Sequence, residues 1–481
     1  MTPLPPLSRE QFDALDRDGL FTLFLSMHGQ MVKMAEEIQS LRDQLGKHSG
    51  NSHKPPSSDG YAKPSPKSRR ERGKRKSGGQ PGHKGHTLRQ VADPDHVVLH
   101  PVVTCLDCSK DLGGVSPTRI EKRQVFDLPP ARIEVTEHRG EVKRCPGCGS
   151  LARGVFPSEA EQATQYGPGV RAVAAYLSGY QLLPLARTVE LFGDLFGHRP
   201  SESMILNASK RVVEKIRPSL DAIRAQLTAS GVIHCDETGL RVDGKLCWLH
   251  TVGTPRLTWY APHRRRGAEA MRAVGILPDF RGCAVHDGWK SYFTFDECAH
   301  ALCNVHHLRE LQFVQERYEQ TWAEGMSVLL REMHAVVKTA PPEWTCLPRE
   351  QRRMYERLYD VWLFRGKVEN PSPKQSRPGR CKQTPAKNLL DRLEGYKQET
   401  LAFLRDFRVP FDNSLAERDI RMMKVKQKVS GCFRTWQGTE QFCAIRSYIS
   451  TARKQDIGVL DAIRNALLGQ PFIPARASPA E

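Results

Sequence analysis

The fold is decided by residues 231–289, which read GVIHCDETGLRVDGKLCWLHTVGTPRLTWYAPHRRRGAEAMRAVGILPDFRGCAVHDGW. Three strand-like runs, VIHCDET, LCWLHTVGT and RLTWYAPH, are followed by a helical segment, AEAMRAVGIL, and by a fourth strand-like run, RGCAVHDGW. Short runs rich in β-branched and aromatic residues are typical of strands. The stretch therefore predicts the order strand, strand, strand, helix, strand.

Two aspartates close two of these runs. We expect the first strand to end with Asp236 and the fourth to end with Asp287. In an RNase H-like α/β fold, which has this strand order, the two strands are neighbours, so both carboxylates would meet at one edge of the sheet. An aspartate at a strand end is by itself more often a cap or a turn former, so the prediction depends on the combination. Glu237 is set aside, because neighbouring residues of a strand point to opposite faces.

The chemistry expected of such a pair is metal-assisted phosphodiester attack. Two divalent ions about 3.5–4 Å apart activate the attacking oxygen and neutralise the leaving oxygen. Carboxylate oxygens are hard ligands that select Mg²⁺ or Mn²⁺. We therefore expect two such ions as catalytic cofactors.

A third carboxylate is expected from a later helix, FDNSLAERDIRMMKVKQKVSG, which starts at the Asn413/Ser414 cap. One face of this helix carries Glu417, Arg421, Lys424 and Lys428. The side expected to be buried carries Leu415, Met422, Val425 and Val429. Glu417 would then face a metal ion while its basic neighbours face DNA phosphates. The alternative is an ordinary amphipathic helix with a Glu–Arg pair, and Asp419 is the second candidate for the third acid.

Two CxxC pairs, Cys105 with Cys108 and Cys145 with Cys148, predict a closed structural zinc site with four thiolate ligands. Between them, VFDLPPARIEVTEHRGEVKRC (residues 125–145) alternates as a β-hairpin would. The alternative is a redox arrangement of reduced cysteines. The other nine of the thirteen cysteines are scattered singly, which suits a reducing compartment.

Near the N-terminus, apolar residues recur at alternating four- and three-residue steps. The series is Leu20, Phe24, Met27, Met31, Met34, Ile38, Leu41 and Leu45. A lone helix cannot bury this stripe, so it predicts self-association through a coiled coil. A helix packed on its own domain is the alternative.

The segment that follows is basic and almost devoid of apolar residues, so it cannot form a core. Residues 61–86 carry nine Lys or Arg against one acid, which favours a flexible arm on DNA phosphates over a solvated linker. The candidate contacts in the arm are Arg69, Arg70, Arg72, Lys74, Arg75 and Lys76.

The net charge of +18 favours nucleic acid or an anionic membrane as a partner. The sequence has no apolar run long enough to span a membrane and does not open like a signal peptide, so we expect a cytoplasmic protein.

Two further groups of residues have open roles. Cys303 with His306 or His307 has metal-like spacing, but packed or phosphate-contacting side chains are the favoured explanation, so we assign no metal site here. Phe433 and Trp436, beside Arg434, are candidates for stacking on an unpaired base, and core packing is an equal explanation. Arg434 itself is counted among the candidate DNA contacts.

A succession of longer motifs carries a resemblance. From about residue 51 to residue 454 these are NSHKPPSSDG, GGQPGHKG, the paired CxxC motifs, CDETGLRV, WLHTVGT, VHDGWKSYF, CNVHHLREL and NSLAERDIRMMKVKQKVSGCFRTWQG. In this order they resemble the DDE transposases of the insertion-sequence-66 family. The resemblance implies a leucine-zipper-like N-terminus, a zinc-binding domain, an RNase H-like catalytic domain with a helical insertion, and a C-terminal extension. It carries the DDE triad onto Asp236, Asp287 and Glu417.

The expected domains follow from these observations. They are an N-terminal coiled-coil helix at 1–48, a basic linker at 49–95, a small zinc-binding β domain at 96–155, a helical domain at 160–229, the catalytic domain at 230–455 with an insertion at about 305–405, and a C-terminal tail at 456–481.

The resemblance also implies the activity and the partners. A bacterial, nucleoid-associated transposase would bind the inverted repeats of its element, cleave DNA with metal ions and transfer a strand to target DNA. The expected partners are double-stranded DNA and a second copy of the chain, and accessory proteins of the same element could join them. Two alternatives remain, namely a non-catalytic zinc-containing DNA-binding regulator and an RNase H-like nuclease or resolvase.

Overall fold

The computed structural model describes residues 9–52, 88–157, 160–372 and 383–475. The chain divides into two compact units, one formed by Pro64–Glu134 and the other by Met1–Lys63 together with Val135–Glu481. The cationic arm residues 69–76 lie outside the described residues, so their contact with DNA stays a prediction. Among the described helices, none is long and apolar enough to cross a membrane.

Two helices precede the basic arm, α1 (Arg9–Asp13) and α2 (Arg17–Leu45). Asp16 caps α2, since its Oδ1 accepts the Gly19 N–H at 2.8 Å. All eight residues of the apolar stripe are exposed, from 37% for Leu20 to 87% for Leu45. The predicted long helix is therefore present, and its apolar stripe is not buried within the chain.

A small hairpin surrounds the second CxxC pair. Its strands are β1 (Val142–Arg144) and β2 (Leu151–Arg153), which pair antiparallel. The hairpin predicted over residues 125–145 is wrong in extent, because residues 125–141, all of them described, form no strand. The Pro129–Pro130 step offers no backbone N–H donor to a strand ladder, which explains part of this failure.

Helices fill the region before the central sheet, as the sequence predicts. They are α3 (Pro168–Ala175), continued by a π-turn (Tyr176–Tyr180), α4 (Leu185–Phe196), α5 (Glu202–Lys215) and α6 (Arg217–Thr228).

The central sheet has five strands. They are β3 (Val232–Val242), β4 (Lys245–Gly253), β5 (Thr258–His263), β6 (Cys283–His286) and β7 (Ala299–Leu302), with α7 (Ala268–Val274) before β6. Their spatial order is β5-β4-β3-β6-β7, in which β3, β4 and β5 are antiparallel and β6 and β7 run parallel to β3. The predicted order of strands and helix is confirmed.

One predicted strand boundary is wrong. The first strand does not end at Asp236 but continues to Val242, because its second half pairs with β4. The hairpin between β3 and β4 turns at Asp243 and Gly244, with φ of +50° and +71°. A two-residue hairpin turn requires such positive φ values.

The interval between β7 and the last helices is helical. It contains α8 (Asn304–Tyr318), α9 (Thr321–Lys338), α10 (Arg349–Glu369), α11 (Pro385–Gly395) and α12 (Lys397–Thr400). These helices share a hydrophobic core of their own, in which Trp322 and Tyr359 are fully buried.

The end of α2 is attached to this helical region. Asp43 is 8% exposed and accepts hydrogen bonds from the Tyr318 hydroxyl at 2.6 Å and from Arg317 Nε at 3.3 Å. Lys47 lies over the Phe313 ring at 5.5 Å. One end of α2 is thus fixed to α8, while the apolar stripe stays accessible.

In the described residues after α12 there are three more α-helices, namely α13 (Ser414–Ser430), α14 (Trp436–Lys454) and α15 (Val459–Leu467). The last of these lies in the residues expected to form a C-terminal tail. It packs with α3, α5 and α14 around Val212, Tyr448 and Ile463. The helices before the sheet and those at the C-terminus therefore share one core.

The prediction of which face of α13 is buried is wrong. Its buried residues are Ala416, Ile420 and Met423. Val425 and Val429 are 47% and 42% exposed. The contact with the sheet, where Ile420 and Met423 join the core under β3 and β4, sets the buried side by tertiary packing.

The strand β3 separates two cores by the alternation of its side chains. Ile233 and Cys235 pack in the core that contains residues of α6 and α7. Leu240 and Val242 pack with α13 and α14 on the other side. Asp236 has the parity of the second group and Glu237 that of the first, so the two acids point to opposite faces.

Candidate active site and zinc-binding cysteines

Asp236 and Asp287 lie on neighbouring strands. In the parallel pairing of β3 with β6, His234 is opposite Val285, and each aspartate follows two residues later. Each aspartate accepts one backbone hydrogen bond on its Oδ1. The Glu237 N–H donates to Asp236 at 2.8 Å, and the Trp289 N–H donates to Asp287 at 2.9 Å. Each carboxylate therefore keeps its other oxygen for a further ligand.

Glu417 lies in the first turn of α13, and Asn413 fixes the start of that helix to β3. The Asn413 side chain is buried, and its Nδ2 donates to the Cys235 carbonyl at 2.8 Å. Its Oδ1 lies 2.9 Å from His234 Nδ1. The sequence predicts Asn413 only as a cap, whereas its side chain joins two elements that are 178 positions apart. This long-range role has no signature in the local sequence.

The three carboxylates act on one another electrostatically. Burial raises the pKa of Asp236 well above its ordinary value, with Glu237 as the next cause and with Asp287 and Glu417 adding to the shift. The N–H of Glu237 acts in the opposite direction. Negative charges held together in a partly buried place favour either protons or a cation.

Glu237 lies on the other face of β3, where its carboxylate accepts hydrogen bonds from two side chains. Its side chain is 1% exposed, and its Oε1 accepts from Arg266 Nη2 at 2.7 Å. Its Oε2 accepts the Tyr292 hydroxyl at 2.5 Å. The Arg266 guanidinium also stacks on Trp289 at 4.1 Å. Glu237 therefore supports the segment that follows Asp287, a role that sequence reasoning missed.

Asp419, the second candidate for the third acid, is a structural residue. Its Oδ2 lies 2.6 Å from Lys454 Nζ, with both side chains about 15% exposed. The same oxygen accepts the Thr258 hydroxyl at 3.2 Å. The helix thus turns Asp419 toward β5 and α14, while Glu417 lies on the accessible side.

Cys303 and His306 lie beside Glu417, and one ligand atom of each of the three residues falls within 4.8 Å of the others. His306 Nε2 is 3.5 Å from Glu417 Oε1. Cys303 Sγ accepts the Asn413 N–H at 3.2 Å, and burial raises the pKa of this thiol to about 12. His307 is buried and its Nδ1 lies 3.2 Å from Asn304 Oδ1. The packing explanation thus fits Cys303 and His307, whereas His306 reaches the site.

The cationic residues expected near the site are accessible. Exposed side chains are those of Arg421, Lys424, Lys428 and Arg434. Lys424 Nζ donates to the Gly239 carbonyl of β3 at 3.4 Å, and burial lowers the pKa of Lys424 while the charge of Asp236 acts in the opposite direction. Phe433 and Trp436 both pack against the core formed with α13 and α14, as the packing alternative expects.

The two CxxC pairs have the same local backbone geometry. In the first, Cys105 N–H donates to the Lys110 carbonyl and Ser109 N–H to the Cys105 carbonyl, both at 3.0 Å. In the second, the Cys145 N–H donates to the Ser150 carbonyl at 2.8 Å, and the Gly149 N–H donates to the Cys145 carbonyl at 2.9 Å. Ser109 and Gly149 occupy the same position with φ of +58° and +76°. Each pair thus forms a tight knuckle.

The knuckles also favour thiolates. Hydrogen bonds from the backbone N–H groups of Cys108 and Asp107 lower the pKa of Cys105. The Ser150 hydroxyl and then its N–H lower the pKa of Cys148. Thiolate is the form that binds zinc.

Three family models match parts of the chain. Residues 163–441 match the model of the Transposase IS66 family, and residues 103–149 match the zinc-finger binding domain of transposase IS66. Residues 11–89 match a family of unknown function, DUF6444. No curated protein matches the chain.

Among solved structures, the Drosophila P element transposase strand transfer complex aligns with 63% of this chain and 95% of that chain, at 10% identity and a TM-score of 0.31. The first family match covers more than half of the sequence and spans the sheet and all three carboxylates. The protein belongs to the IS66 family of transposases.

Proposed function

We propose that this transposase cleaves DNA at the ends of its element and joins the exposed 3′-hydroxyl to target DNA, with Asp236, Asp287 and Glu417 as a DDE triad. The observation that carries the proposal is that β3 and β6 place Asp236 and Asp287 on neighbouring strands, while Asn413 fixes the first turn of α13, which carries Glu417, to β3. The order of the sheet, with β6 and β7 parallel to β3, supports an RNase H-like core.

The three carboxylates fit divalent cations. They offer oxygen donors only, and their mutual repulsion is relieved by positive charge. Mg²⁺ or Mn²⁺ suits this donor set, and two such ions would supply activation of the attacking oxygen and stabilisation of the leaving oxygen.

The residues around the triad position it and the DNA. Asn413 holds the turn of α13 that carries Glu417 against β3. Arg266, fixed by Glu237, supports the segment after Asp287. The exposed cations Arg421 and Lys428 extend along α13 from Glu417, where they would contact phosphates of a bound strand.

The direct experiment is incubation of the protein with labelled element-end DNA and Mg²⁺. We expect nicks at the element boundary and joined products, both abolished by EDTA. Binding without any nick would favour a zinc-containing DNA-binding regulator. Nicks without joined products would favour a nuclease or resolvase.

We further propose that Cys105, Cys108, Cys145 and Cys148 bind one structural zinc ion per chain. The knuckle geometry of each pair and the match to a zinc-finger domain support this. Elemental analysis should find one zinc per chain, and chelation should unfold the zinc domain before the catalytic core. Cys145→Ser/Cys148→Ser should lose the zinc, while the exposed Cys432→Ser control keeps it. Full zinc in the double variant would contradict the assignment.

The exposed stripe of α2 supports a dimer formed by a parallel or antiparallel pair of these helices. Met31→Glu places a charge in the stripe and should convert the dimer to a monomer in analytical ultracentrifugation. Val32→Glu, one residue away and outside the stripe, is the matched control and should leave the dimer intact. A wild-type protein that sediments as a monomer would refute the dimer.

A further inference from the structure

A polar cavity of about 400 Å³ lies between α5 and the segment that leads into α3. One face of α5 lines it with residues at helical spacing, namely Ser203, Asn207, Lys210, Arg211 and Glu214. Arg171 of α3 lines the opposite wall together with Tyr166. The cavity is built from elements that carry none of the three carboxylates.

The polar face of α5 is not needed for packing. The helix buries its other side, where Ile205 packs in one core and Val212 in another. Asn207, Lys210 and Arg211 of the lining are exposed, so a ligand can reach their donor groups.

The cavity holds an excess of positive charge. Arg171, Lys210 and Arg211 face one acid of the lining, Glu214, and none of the three cations forms an ion pair within the part of the chain that the structure describes. Partial burial and then repulsion from Arg211 lower the pKa of Arg171, although Glu161 acts in the opposite direction. Two guanidinium groups that line one cavity and repel each other favour an anion beside them.

We propose that this cavity binds the sugar-phosphate backbone of DNA at a place separate from the carboxylate site. The inference rests on the proposed function, because it takes DNA as the substrate. Guanidinium, ammonium, hydroxyl and amide groups are the donors that proteins direct at phosphates. From Ser203 to Arg211 the lining face extends about 12 Å along the helix. One strand of duplex DNA carries about three to four phosphates over that length.

The test is the salt dependence of DNA binding without divalent metal, so that no cleavage contributes. Arg171→Gln/Arg211→Gln should reduce the slope of log affinity against log salt by about 0.9 for each phosphate that the variant no longer neutralises. The reduction should be the same for element-end and random duplexes, since backbone contacts carry no sequence information. Glu214→Gln should tighten binding to both DNAs. Circular dichroism and thermal unfolding verify that the variants fold.

The matched control is Arg187→Gln/Arg464→Gln, which removes the same charge from exposed positions on α4 and α15. An unchanged slope in the cavity variant, or an equal reduction in the control, would overturn the proposal. Calorimetry with inorganic pyrophosphate distinguishes a contact with DNA phosphates from a site for a small phosphate ligand. Loss of pyrophosphate binding with an unchanged DNA slope would assign the cavity to a small phosphate ligand and refute the DNA contact. Absence of cleavage by the wild type would instead refute the proposed function and leave the slopes interpretable.

Discussion

Two pairs of neighbouring acids, one on β3 and one on α13, each contain one carboxylate at the candidate site and one carboxylate paired with a basic side chain. On β3, Asp236 faces the carboxylate cluster while Glu237 pairs with Arg266 at 2.7 Å. On α13, Glu417 lies near the cluster while Asp419 pairs with Lys454 at 2.6 Å. In each pair one acid belongs to the proposed triad, and the other has a cation supplied by the chain.

The two acids of each pair have different partners because a strand and a helix point nearby side chains in different directions. Adjacent residues of a strand point to opposite faces, which separates Asp236 from Glu237. Residues two apart on a helix are separated by about 200°, which separates Glu417 from Asp419. We therefore propose that identical carboxyl groups serve either the reaction or the fold, according to the partner that each face meets.

The largest expected loss of cleavage follows substitution of the three acids of the proposed triad. Asp236→Ala, Asp287→Ala and Glu417→Ala should each reduce cleavage by about a thousandfold or more, because a metal contact contributes several kcal/mol and each 1.4 kcal/mol is a factor of ten. Binding of element ends should be largely retained, since no phosphate contact is removed. Gel assays of nicking and binding measure both. Normal nicking by any one variant removes that residue from the triad.

Asp419→Ala should instead reduce stability. Removal of one partner of a buried ion pair costs about 3–5 kcal/mol, and we expect about 3 because Lys454 keeps the carbonyls of Thr254 and Leu257 as acceptors. Denaturant unfolding measures the loss. Cleavage below the unfolding transition should stay within a few-fold of the wild type. If Asp419→Ala abolished nicking while Glu417→Ala did not, the third carboxylate would be Asp419.

Glu237→Gln should reduce stability less than Asp419→Ala does. Loss of the charge weakens the contact with Arg266, for which about 1.5–3 kcal/mol of stability is typical. Cleavage should decrease by about tenfold, a cost near 1.4 kcal/mol, because Arg266 supports the segment after Asp287. Tyr292→Phe removes only one hydrogen bond to Glu237 and serves as the milder comparison, at about 1 kcal/mol. A thousandfold loss of cleavage in Glu237→Gln would place Glu237 among the metal ligands.

The sequence predicted the features that depend on near neighbours. The order of strands, the long helix α2 and the opposite orientation of Asp236 and Glu237 all follow from short periodicities. The stop at Asp236 was wrong, because pairing with β4 extends β3 to Val242. A strand end depends on its partner strand, which the run VIHCDET does not contain.

By itself, the sequence determined the motifs that indicate chemistry. These are the two CxxC pairs, which their spacing identifies, and the three acids that the family motifs carry. Only the tertiary structure decided which cation meets which acid, and which side of α13 is buried. Met422, Val425 and Val429 form an apolar series as good as Ala416, Ile420 and Met423, and the surface of the sheet selects the second. Arg266 and Lys454 lie 29 and 35 positions from their acids, so no helical or strand period links them. The physical reason is that periodicity fixes the direction of a side chain along its own element, whereas the partner and the burial depend on the docking of elements distant in sequence.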